Sequence, residues 1–138
     1  MLHRQEFTTT IRELNGKRAE SLQVMLAVRP DGDEDVLHVL LKIHGGRVHK
    51  LFLDTGILFW SELKSPDDDD TNPEACAEAG SVAELRTVPV AGRTIQSIKM
   101  DQQQGHGALD IQWQEGGGIT LRSEAESTDA ERTRLLLR

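Results

Sequence analysis

Apolar and polar residues alternate along several stretches of this chain, and the alternation occurs in two similar copies. Over residues 21–29, Leu22, Val24, Leu26 and Val28 fall on one face of an extended segment. The cluster Pro30-Asp31-Gly32-Asp33 signals a turn. Residues 36–44 and 47–53 then read as a hairpin around Gly45-Gly46, because a two-residue turn with positive φ at both places suits two glycines. Asp54-Thr55-Gly56 turns the chain once more, into Ile57-Leu58-Phe59-Trp60. Further on, residues 94–100 alternate, a polar loop covers 101–107, and residues 108–114 and 119–122 make a matching hairpin at Gly116-Gly117.

The similarity extends to the residues ahead of each copy. Leu14-Asn15-Gly16-Lys17-Arg18-Ala19-Glu20-Ser21-Leu22 reappears in altered form as Val90-Ala91-Gly92-Arg93-Thr94-Ile95-Gln96-Ser97-Ile98. A repeat of this kind predicts two similar units packed together. The expected fold is mainly β, formally α+β: two antiparallel meanders over residues 9–64 and 81–138, packed as a sandwich or a rolled sheet. Leu22, Val24, Val39, Leu41, Ile98, Ile111 and Trp113 are expected in the core, with Gly16 and Gly92 at equivalent turns. Short helical turns are expected where Thr10-x-x-Glu13 and Ser81-x-x-Glu84 show capping-box spacing. Asn72-Pro73 and Gly80 would bound a short helix over 73–79. Residues 132–138 are read as a strand, which completes the match with residues 57–60.

Composition narrows the setting. A chain of 138 residues with 37% hydrophobic content is long enough for one domain with its own core. The longest apolar runs fall well short of the roughly 20 residues of a spanning helix, and residues 1–6 lead into no secretory signal. One cysteine, Cys76, leaves no partner for an intramolecular disulfide. These features together give an expected cytoplasmic location, with no membrane partner.

Charge changes the picture more. The net charge is −7, yet residues 1–64 carry nine basic and nine acidic side chains and residues 81–138 carry seven and eight. The segment 65–80 has no Lys or Arg but holds Asp67, Asp68, Asp69, Asp70, Glu74 and Glu78. Nearly all the excess therefore lies in one linker. Binding to nucleic acid needs clustered positive charge to displace counterions from phosphates. No such cluster occurs, so no nucleic-acid partner is expected.

Candidate chemistry is sparse. His44 and His49 would share a hairpin face with Lys42 and Arg47, whose charge opposes a bound cation, so they read as solvated residues. The aspartate run lacks the ligand spacing and internal glycine of a calcium loop. Cys76 lies between Glu74 and Glu78, which disfavour its thiolate. Ser21 and Ser97 fall on expected strands, outside any nucleophile turn. No dinucleotide, P-loop or zinc-protease motif is present, so no catalytic residue, metal or cofactor is expected, and the protein is read as a non-enzyme. Ile57-Leu58-Phe59-Trp60 does not alternate, so both faces of that strand need cover. Trp60, just ahead of the acidic linker, is either a core residue or an exposed anchor beside a negative rim. In the second case Trp60, Asp67, Asp68, Asp69, Asp70 and Glu74 would form a partner-binding site.

In size, acidic excess and lack of catalytic motifs, the chain resembles the small immunity proteins that bacteria encode beside polymorphic toxins. It also resembles bacterial β-rich domains with a Gly-basic-x-x turn ahead of a meander. The resemblance is one of character across the whole chain, and no residue role transfers from it. It implies a protein partner, a toxin with a basic cleft. The alternatives are a homo-oligomeric structural or adaptor protein, for example a homodimer, joined through the strand of residues 57–60, and a small-molecule-binding β domain.

Overall fold

Alternating segments become paired strands wherever one face finds apolar cover. The computed structural model describes residues 2–8, 11–54, 57–64, 81–103, 106–125 and 131–137. Ten strands run in chain order: β1 (Leu2–Thr8), β2 (Ala19–Val28), β3 (Glu34–Ile43), β4 (Val48–Asp54), β5 (Ile57–Leu63), β6 (Val82–Val88), β7 (Ile95–Gln103), β8 (His106–Trp113), β9 (Gly118–Ala125) and β10 (Glu131–Leu137). One sheet has the order β5-β4-β3-β2-β6 with β1 added alongside β5. The other has the order β9-β8-β7 with β10 added alongside β9. All pairings are antiparallel.

The two sheets close over one shared core. Leu22, Val24, Val39, Leu41, Leu51, Leu58 and Trp60 from the first pack in a single cluster with Ile98, Leu109, Ile111, Trp113, Ile119 and Leu121 from the second. Every residue expected in the core is there. Burying each large aliphatic side chain stabilises the fold by about 1.5–3 kcal/mol.

The repeat in sequence is a repeat in pairing. On β2 and β3, Ala19 faces Ile43, Ser21 faces Lys42 and Leu22 faces Leu41. On β7 and β8, Ile95 faces Trp113, Ser97 faces Gln112 and Ile98 faces Ile111. The register slips at the same place in both, between Ala19 and Ser21 and between Ile95 and Ser97. Gly16 and Gly92 sit at equivalent turns with φ of 82° and 84°. The turns are bonded to one another reciprocally: Gly16 N–H donates to the Ile95 carbonyl and Gly92 N–H to the Ala19 carbonyl. Between them Arg18 and Thr94 form an antiparallel bridge.

The lead-in segments cross between halves. β6 belongs by sequence to the second half but pairs with β2 of the first, Leu22 facing Val88. Conversely, Ile11 N–H donates to the carbonyl of Ile98 on β7. Neither half therefore holds all of its own hydrogen-bond partners.

The mainly β fold is as expected, and among the described residues every regular element is a strand and none is a helix. Three details are corrected. Residues 12–17 make two successive turns, closed by Asn15 N–H to the Arg12 carbonyl and Lys17 N–H to the Leu14 carbonyl, and do not continue into a helix. Ser81-x-x-Glu84 opens β6, because pairing with β2 outweighs a local capping pattern. The expected helix over 73–79 lies outside the described residues.

The third correction concerns the first hairpin. Gly46 N–H donates to the Ile43 carbonyl and Ile43 N–H to the Arg47 carbonyl, so three residues lie between the last bonded pair. Gly45 supplies the left-handed step at φ 69°. An odd loop shifts the register by one residue and turns each side chain to the opposite face. Lys42 therefore faces Val48, and His49 faces Leu41 on the core side.

Candidate partner-binding edge

Trp60 belongs to the core. It lies on β5 facing Leu51, and only 3% of its surface is exposed. β5 is an internal strand between β1 and β4, which explains why its sequence is apolar on both faces. The Trp60 indole Nε1–H donates to Nδ1 of His49 at 2.9 Å, and the two ring centroids are 5.8 Å apart. His49 is itself 5% exposed. An exposed anchor at Trp60, and a homodimer edge along residues 57–60, both give way to this placement. Asp67, Asp68, Asp69, Asp70 and Glu74 lie outside the described residues.

The histidines also separate. His44 is exposed in the turn, His49 points to the core, and His38 is buried on β3 one position from core-facing Val39. Among the described residues, no three His, Cys, Asp or Glu side chains are grouped to hold a metal ion. The tryptophan–histidine contact makes a testable prediction. The indole N–H is a donor only, so His49→Leu leaves it buried without its acceptor. Urea unfolding should then show a loss of about 1–3 kcal/mol. A loss below half a kcal/mol would mean that the bond contributes nothing.

Unexpected surface chemistry appears on β6. Val82 is 67% exposed and Leu85 50% exposed, the two exposed large hydrophobic residues among those described. β6 has β2 on one side and, among the described residues, no strand on the other. The remaining edge of the second sheet, β7, instead exposes Gln96 and Lys99. Edge strands present unpaired backbone groups and are usually guarded by charge. On β6 the charges come as a set. Arg86 grips Glu34 of β3 through both terminal nitrogens, Nη1 to Oε1 at 3.2 Å and Nη2 to Oε2 at 2.5 Å, and bonds Glu84 at 2.7 Å. The bonds to Glu34, with those to Glu84, raise the guanidinium pKa further, so Arg86 stays charged.

Sequence reading missed this edge. The signal present was Val82 and Leu85 set among Glu84, Arg86 and Thr87, a half-apolar strand pattern. On the outward face of the first sheet, Phe52 and Phe59 stack with centroids 4.9 Å apart beneath Lys50. That pair is half-buried and already satisfied by its own stacking. The chain matches no family model, no curated protein and no solved structure.

Proposed function

We propose that this chain is a non-catalytic protein-binding module that takes its partner along β6. The observation that carries the reading is the pair of exposed apolar side chains, Val82 and Leu85, on a strand with one open side. Strand addition supplies backbone hydrogen bonds for affinity, while alternate side chains supply specificity. The acidic segment 65–80 joins the chain directly ahead of β6. Its charge supports an immunity-type role, in which the segment attracts a basic toxin and acts mainly on association rate.

The test compares wild-type protein with Leu85→Lys as immobilised bait, after melting curves show both folded. Proteins held by the wild type, further copies of this chain included, should be lost from the variant. If every bound protein is retained equally by both, β6 is not the binding edge. For a partner so identified, replacing Asp67, Asp68, Asp69 and Asp70 with Asn should slow association and flatten its salt dependence. An unchanged rate and salt slope would remove the steering role.

A further inference from the structure

We infer that the occupant of the β6 edge is a second copy of this chain, paired antiparallel about a two-fold axis through Leu85. This rests on β6 being the binding edge and names its partner. The argument starts from the order of residues along the strand, Val82-Ala83-Glu84-Leu85-Arg86-Thr87-Val88. Antiparallel pairing of two such strands about Leu85 sets Val82 opposite Val88, Ala83 opposite Thr87, Glu84 opposite Arg86 and Leu85 opposite Leu85.

Each pair is favourable. Apolar faces apolar at the centre and at both ends, and the charges meet as opposites twice. Cross-strand pairs of these kinds each stabilise a sheet by roughly 0.2–1 kcal/mol, whereas like charges placed opposite oppose pairing. A shift by two residues in either direction would lose the complement. Centred on Glu84, the register sets Glu84 against Glu84 and Arg86 against Val82; centred on Arg86, it sets Arg86 against Arg86 and Glu84 against Val88. The self-complementary register is also isologous, as a closed dimer requires.

The geometry deals with the main opposing force as well. Each chain carries an acidic segment that joins β6 at its Val82 end. In the antiparallel arrangement the two Val82 ends point away from each other. Their separation is six residues, roughly 20 Å at the rise of a strand, against a screening length of about 8 Å at physiological salt. The two acidic segments are therefore attached too far apart for their repulsion to prevent pairing.

Sedimentation of the full chain from micromolar to hundreds of micromolar should show a monomer–dimer equilibrium. Leu85→Lys should weaken it by on the order of 100-fold, because two lysines would meet at the axis in place of two leucines. Register is read by cysteine cross-linking in a Cys76→Ser background. Opposed residues of paired strands have Cα atoms about 4.5–5.5 Å apart, which suits a disulfide. Leu85→Cys should therefore oxidise to a covalent dimer, while Val82→Cys should not. A protein that stays monomeric throughout would overturn the inference. So would a dimer indifferent to Leu85→Lys, or one in which Val82→Cys cross-links as readily as Leu85→Cys. If the chain stays monomeric yet binds another protein through Leu85, the second copy is wrong and the protein-binding role of β6 stands.

Discussion

Trp60→Ala is expected to destabilise the protein by about 3–5 kcal/mol, the range for deleting a large buried aromatic ring. The ring is nearly enclosed and belongs to the cluster that joins both sheets. Its removal opens a cavity and takes the hydrogen-bond donor from His49. Chemical denaturation followed by circular dichroism measures the loss. Association with any partner should be unchanged once the unfolded fraction is subtracted, since the ring does not reach solvent. A variant that folds normally but dissociates faster would place Trp60 at the interface and contradict its burial.

Leu22→Ala and Ile98→Ala should each cost about 2–5 kcal/mol, and the two losses should be close. Both side chains are fully buried, and each faces an aliphatic residue across its pair, Leu41 and Ile111. Either cavity is lined by both sheets, so damage in one half should lower the stability of the other. Near-ultraviolet dichroism and tryptophan fluorescence should then lose signal at one shared midpoint. Separate midpoints would show that the halves unfold independently, contrary to the crossed pairing at Arg18 and Thr94.

Sequence periodicity reveals much of this fold because alternation records which face of a strand is buried. Leu22, Val24, Val39, Leu41, Ile98 and Ile111 are legible for that reason, as is β10, which follows from the match with β5. The register of the first hairpin is less legible. Two adjacent glycines fit a two-residue loop and a three-residue loop equally well, and only the second puts His49 in the core. β1 and β6 are hidden for another reason. Their partners, β5 and β2, lie about fifty residues or more away from them along the chain, so no local pattern records the pairing. β6 is the strand that bears the candidate site, and its apolar residues belong to no core face. The acidic linker, in contrast, is plain in the sequence as a block of charge, and its role rests on that charge alone.

The crossing of the lead-in segments bears on synthesis. When the ribosome has made residues 1–64, β2 can pair with β3 but has nothing on its other side, because residues 82–88 do not yet exist. The nascent chain therefore presents the apolar strand Leu22-Gln23-Val24-Met25-Leu26 as an open edge. At about 5–20 residues per second, that edge waits about 1–5 s for the next 24 residues. The acidic segment is made during just this interval. Its 16 residues make up most of those 24, so the length of the segment sets how long that side of β2 stays unpaired during synthesis.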